Sequence, residues 1–276
     1  MSQEAQGESV ARLRCGSSAH GLQASTDFPC GLHFLGINAR GCPEAQSPFD
    51  DTVLVFVPAG SFMMGSEECP GERPLHAIHL AGFWIAKTAV THAQYERFVR
   101  ATGHKSAGNW EAWARSSGDR CPVVDISWYD AVAYCHWARL RLPSEAEWER
   151  AARGVDGLRY PWGDTWDAAR CHGSDSWGGA QQPAPVGSYP GDLSPVGCLD
   201  MAGNVAEWCS SRYQPYPYEA LDGREAPEPQ DGELRVLRGG SWDSGSHPSF
   251  YRSADRGWLA PSLSRSHVGF RPAKSE

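Results

Sequence analysis

The side chains with the most reactive chemistry in this chain are its nine cysteines, at positions 15, 30, 42, 69, 121, 135, 171, 198 and 209. Their spacing is irregular, with no CxxC pair and no zinc pattern. None follows Cys209, so the stretch from Trp242 to Glu276 offers no thiolate to a soft metal such as copper(I) or to a redox partner. It offers Asp243, Ser244, Ser246, His247, Phe250, Tyr251, Asp255, Trp258, Leu259, Ser262, Leu263, Ser266 and His267 instead. Serine hydroxyls do not replace thiolates in either role. The set does suit recognition. Phe250, Tyr251 and Trp258 are rigid anchors with few torsions to freeze, the serines are adaptable hydrogen-bonders, and the aspartates and histidines add charge and polarity. The competing reading is an ordinary Ser/Gly/Pro loop with its aromatics buried, and burial decides between the two.

A second group of chemical interest is Asp200 and Glu207, two carboxylates set across a tight turn, with the backbone carbonyls of Gly203 and Val205 between them. Hard oxygen donors of this kind suit a structural Ca²⁺. The alternative is that both acids brace the turn. His76, His79 and His92 share no metal-ligand spacing.

These residues must be held by a scaffold of 276 residues, long enough for a real core. Hydrophobic residues make up 41% and mean hydropathy is −0.48, which reads as soluble and globular. Thirty Gly, 20 Pro and 12 Trp point to a loop-rich fold held by aromatic anchors. The net charge of −8 argues against nucleic-acid binding through a general basic field. Residues 238–276 are locally about +3, with five Arg, and structural roles are expected for several of them. No run of 18 apolar residues is present, so no membrane insertion is expected. The start is polar and acidic, unlike a secretory signal. That predicts a chain cytoplasmic at synthesis with mostly reduced thiols, association with a virion or surface by another route staying open.

Residues 1–50 are Gly-, Ser- and Ala-rich and read as an extension whose order the sequence leaves open. The folded domain is predicted over 51–276. Val53–Val57 is a β-branched run closed by Pro58-Ala-Gly60, a strand and turn. Further strands are expected at Ser61–Gly65, His76–Leu80 and Phe83–Ala86. Three helices follow from cap signals: Thr91 before a run to about Ala101, Ser127 before Ala131–Ala138, and the capping box Ser144-Glu-Ala-Glu147 before a run to Arg153.

In chain order, Phe56–Gly65, Val123–Cys135, Arg141–Glu149, Tyr160–Gly163, Asp200–Trp208 and Arg238–Trp242 together resemble the motifs of the sulfatase-modifying-factor, or formylglycine-generating-enzyme, family. The resemblance implies an α+β, C-type lectin-like fold, loop-rich with little regular secondary structure. It also implies that Asp200, Gly203, Val205 and Glu207 match the residues that hold one calcium in the family. The family's other calcium segment, here His172-Gly-Ser-Asp175, departs from its pattern. Oxidases of this family work with two cysteines a few residues after Arg-Gly-Gly-Ser-Trp, a pair that binds copper. The corresponding stretch here is Asp243–Tyr251, so copper is not expected and neither is that catalysis.

The tail more closely resembles the variable proteins of diversity-generating retroelements, a frequently phage-borne branch of the same fold. These carry a fixed frame of Arg-Gly-Gly-Ser-Trp, Arg-Ser-Ala-x-Arg and Gly-Phe-Arg around a hypervariable region. Here the frame is Arg238–Trp242, Arg252–Arg256 and Gly269–Arg271, bracketing a candidate variable region at 243–267. Adenine-directed diversification of AAC codons excludes Lys, Glu, Gln, Met and Trp. Residues 243–267 contain none of the first four, and Trp258 is the exception. The resemblance implies a non-catalytic receptor whose C-terminal face binds an unknown protein or surface ligand. The alternatives are an oxidase of sulfatase cysteine or a catalytically dead regulator of one.

Overall fold

The computed structural model describes residues 31–173, 181–228 and 232–276. Its strands are β1 (His33–Ile37), β2 (Pro43–Gln46), β3 (Val53–Val57), β4 (Gly60–Met64), β5 (His76–Leu80), β6 (Phe83–Ala86), β7 (Ala206–Arg212), β8 (Arg235–Arg238), β9 (Arg256–Leu259), β10 (Val268–Gly269) and β11 (Ala273–Ser275). Its helices are α1 (His92–Thr102), α2 (Trp110–Ser117), α3 (Trp128–Trp137) and α4 (Glu145–Arg153). One sheet runs β1-β2-β3-β6-β11, a second β10-β7-β8-β9, and β4-β5 form a hairpin. The fold is α+β and C-type lectin-like, with long irregular connections. Among the described residues no helix is long and apolar enough to cross a membrane.

The expected capping signals act as helix starts. Thr91, Ser127 and Ser144 each close a reciprocal capping box, with Gln94, Asp130 and Glu147 respectively. Each such cap contributes about 1 kcal/mol. Helix α2 was not signalled: its Asn109 cap makes no side-chain bond, and the segment is held instead by Trp110, buried against Tyr95.

The domain boundary expected at residue 51 needs correction. β1 and β2 pair antiparallel, and β2 continues onto β3 through Glu44↔Val55 and Gln46↔Val53. Residues 33–46 are therefore part of the first sheet, and the expected extension keeps only its earlier part, which lies outside the described residues. Sequence reading missed them because Pro43-Glu-Ala-Gln46 has poor strand propensity; its pairing to the apolar strand β3 overrides that.

The core explains how so few regular elements hold. Tyr95, Phe98, Trp128, Tyr134, Trp208 and Phe270 are all buried in one cluster that joins α1, α3, β7 and the C-terminal strands. The chain's end closes the structure, since β11 pairs with β6 and β10 lies parallel to β7. The C-terminal segment is thus built into both sheets.

Candidate ligand-binding face

Four tail arginines meet four glutamates from earlier segments. Arg252 grips Glu72 with bonds of 2.6 and 2.8 Å, Arg256 grips Glu145 at 2.5 and 2.9 Å, and Arg271 grips Glu207 at 2.6 and 2.8 Å. Arg238 pairs with Glu149. All four guanidiniums are desolvated. Forked pairs of this kind fix geometry, and removing one partner strands a buried charge. Four of the tail's six cations are thereby spent inside the fold, on structural roles.

Two loops interlock above this frame. Gly203 N–H donates to the Gly239 carbonyl at 2.6 Å, and Trp242 N–H donates to the Asn204 carbonyl at 3.0 Å. Gly240 has φ +67°, and a Cβ there would lie 2.4 Å from the Phe250 carbonyl oxygen, so only glycine permits this approach. The turn after Trp242 is stitched by Ser244, whose hydroxyl accepts from Ser241 N–H at 2.8 Å. His247 then caps the short 3₁₀ turn Pro248–Tyr251 by accepting from Ser249 N–H.

On this frame some expected binding residues face outward. Trp258 is 54% exposed on the edge strand β9, Phe250 is 44% exposed, and Leu263 is 40% exposed. Asp243, Ser246, His247 and Ser262 are exposed as well, while Ser244, Ser266 and His267 are half-buried. Asp243 and His267 approach to 3.5 Å, which ties the two ends of the loop region together. Burial lowers the His267 pKa below its ordinary value, with Asp243 opposing the shift. Ser264 is anchored to Asp125 at 2.7 Å.

Of the remaining expected site residues, one is buried and two are partly buried. Tyr251 is 1% exposed: its ring stacks on Trp166 at 5.2 Å and its hydroxyl donates to the Gly245 carbonyl at 2.7 Å. Asp255 is partly buried, and desolvation with Glu72 nearby pushes its carboxyl up to about 6. Leu259 packs on the main core cluster. The sequence could not separate Tyr251 from Phe250, because it is packing on Trp166, distant in sequence, that buries one and not the other. It also missed two neighbours of the face. Trp113 on α2 contacts Trp242 at 6.4 Å, and Tyr213 lies 6.4 Å from Trp258. Ring contacts link Phe250 to His247 and Trp258 to Tyr213. Among the described residues none links Phe250 to Trp258, so the exposed anchors form two patches.

The expected calcium set meets a different partner. Both Glu207 oxygens accept from Arg271, and Oε2 also accepts from Trp148 Nε1 at 2.7 Å. Asp200 accepts from Gly187 N–H at 2.7 Å through its side chain and from Arg271 through its carbonyl. Burial pushes the Asp200 carboxyl up to about 6. A guanidinium thus already occupies both Glu207 oxygens, while Asp200 and the neighbouring buried Asp192 hold no ion pair of their own among the described residues. Of the second calcium segment, Ser174 and Asp175 lie outside the described residues.

Comparison with known proteins places this geometry. The family model for the sulfatase-modifying factor enzyme 1-like domain matches residues 40–276. Formylglycine-generating enzyme of Streptomyces coelicolor is 36% identical, the match covering 83% of this chain and 91% of that protein. Serine/threonine-protein kinase Pkn1 of Chlamydia trachomatis is 37% identical over 81% of this chain but only 38% of its own length. Among solved structures, PvdO from Pseudomonas aeruginosa superposes with a TM-score of 0.72 at 30% identity, covering 84% of this chain and 98% of that one. Treponema denticola variable protein 1 superposes with a TM-score of 0.66 at 22% identity over the same shares, a likeness of fold.

Proposed function

This chain belongs to the sulfatase-modifying factor enzyme 1-like family, and within it we propose a non-catalytic receptor that displays a C-terminal binding face diversified by a retroelement. The observation that carries the proposal is the division of the tail into two kinds of residue. Arg238, Arg252, Arg256 and Arg271 are locked to buried glutamates, while Trp258, Phe250 and Leu263 stand exposed between them. Exposed aromatics on a rigid frame lose little entropy when a partner covers them. The ligand is a protein or other surface group large enough to cover aromatic anchors flanked by small polar residues. Nucleic acid is not proposed, because four of the tail's six cations are already paired inside the fold.

The names of the sequence relatives favour a second reading, a formylglycine-generating oxidase or an inactive regulator of one. Against the oxidase stand the residues after Trp242. Two hydroxyls of the stretch Asp243–Tyr251, those of Ser244 and Ser249, are engaged by Ser241 and His247. Neither is a soft metal ligand. The test is incubation of the full chain with copper(I), oxygen and a sulfatase-type cysteine peptide, followed by mass spectrometry. No aldehyde above the copper-only control is expected. Turnover lost in Ser244→Ala or Ser249→Ala would establish the oxidase and end the receptor reading.

A further inference from the structure

The outer edge of the second sheet is open. β9 pairs with β8 in unbroken register, from Arg238↔Arg256 to Arg235↔Leu259, and among the described residues no strand flanks its other side. In an antiparallel ladder alternate residues turn their N–H and C=O away from the partner strand. Among the described residues no backbone bond outside the ladder engages residues 256–259. Apart from the Arg256 N–H, which meets the Asp255 carboxylate, the outward groups therefore take no backbone partner. Gly257 is half-exposed, and a residue without a side chain exposes only backbone.

This edge also lacks the devices that keep strangers off a sheet, which are a lysine, a proline, a bulge or a very short strand. The other outer strands carry them. β1 kinks where its register shifts between Phe34 and Gly36, β10 has two residues, and β11 carries Lys274. The one charge on β9, Arg256, is turned inward onto Glu145 with its side chain 1% exposed. What β9 shows to solvent is Trp258, 54% exposed.

The side chains beside the edge are held in place. Leu259 packs on the core cluster, so Trp258 and Arg256 share the opposite face of the strand. There the Arg256 guanidinium lies 4.6 Å over the Tyr213 ring and donates to the Gln214 carbonyl at 3.0 Å. Tyr213 in turn stands 6.4 Å from Trp258. Trp258 is also the residue of 243–267 that adenine-directed change at AAC codons does not produce.

We propose that β9 takes the ligand as an extended peptide strand, which adds to the sheet edge through its backbone and lays a side chain on Trp258 and Tyr213. Only an extended backbone presents N–H and C=O in alternation at the strand spacing. The four residues of β9 offer about 13 Å of edge, enough for a matching segment of the same length. The inference rests on the receptor reading and deepens it. The constant edge anchors a strand of any sequence, and the variable positions around Phe250 and Leu263 choose among them.

The test exposes the full chain to a displayed library of random linear octapeptides and resynthesises the binders with single backbone N-methyl groups. An alternating pattern is expected: methylation at every second residue of the bound segment weakens binding about tenfold or more, and the residues between tolerate it. Amide hydrogen exchange should show new protection at alternate residues of 256–259 in the complex. Trp258→Lys, which supplies the missing edge charge, should weaken binding about thirtyfold at unchanged Tm. The proposal is overturned if the library yields no binder. It is overturned too if binders need Trp258 yet tolerate a methyl at every backbone nitrogen; the receptor reading then stands and only the strand mode falls. Binders indifferent to Trp258, Phe250 and Leu263 alike would end both readings. A full chain that sediments as a dimer split by Trp258→Lys would give the edge to a second copy and overturn the proposal as well.

Discussion

Asp255 separates frame from face, and its replacement by asparagine has a calculable effect. Its carboxyl is raised from an ordinary value of 3.8 to about 6, first by burial and then by Glu72, with Arg252 and Arg238 pulling the other way. A folded-state value above the unfolded one means the native protein holds the proton more tightly. This group therefore costs nothing below about pH 4, and its cost grows as pH rises toward about 6 and is then constant. The full shift corresponds to about 3 kcal/mol at neutral pH. Asp255 keeps some solvent access, so a gain of about 1–2 kcal/mol is expected for Asp255→Asn above pH 7. Urea unfolding followed by tryptophan fluorescence, run on both proteins from pH 4 to pH 8, reads the difference directly. Asp200 is raised in the same direction but is common to both proteins and cancels. A difference near zero at every pH would mean Asp255 is solvated like a surface ligand residue. A less stable variant at pH 7 would mean its charge is a net stabilising partner of Arg252. Either result refutes its placement as a desolvated frame residue.

Tyr251→Ala should cost about 3–5 kcal/mol, as for other buried aromatics, whereas Trp258→Ala should change stability by less than about 1 kcal/mol; chemical denaturation compares them. Tyr251→Phe should lose only about 1 kcal/mol, that of the bond to the Gly245 carbonyl. Glu72→Gln should destabilise by about 3–5 kcal/mol by leaving the Arg252 guanidinium buried without its carboxylate, read in the same melts. Calcium and a chelator should each leave Tm unchanged to within about 1 °C, because Arg271 already compensates Glu207; a rise with calcium would show that the ion displaces or joins the arginine.

The sequence carried much of the scaffold and less of the face. Helix starts at Thr91, Ser127 and Ser144 were legible because a capping box is a local device, complete within four residues. Strand β2 was not, because its pairing is decided by β3. The arginine frame was half legible. Composition showed that the tail's arginines needed partners, but Glu72, Glu145, Glu149 and Glu207 are distant in sequence and only the fold names them. The same limit applies to Arg271, which sits against Glu207 where the motif alone indicated a cation site. Phe250 and Tyr251 carry equivalent signals in the sequence, and only the packing of Trp166 separates an exposed anchor from a buried one.

Sequencing the 3′ end of this coding region across a population, together with its flanking DNA, tests the binding-face proposal most directly. The proposal predicts replacements at adenines, concentrated at the outward or half-buried positions 243, 244, 246, 247, 250, 262, 263, 266 and 267, with Trp258 replaced only if its codon carries a targeted adenine. Arg238–Trp242, Tyr251–Asp255 and Gly269–Arg271 should stay constant, beside a reverse-transcriptase gene and an adenine-rich template copy. Replacements spread evenly along the chain, or falling on Tyr251 and Arg252 as often as on Phe250, would contradict it.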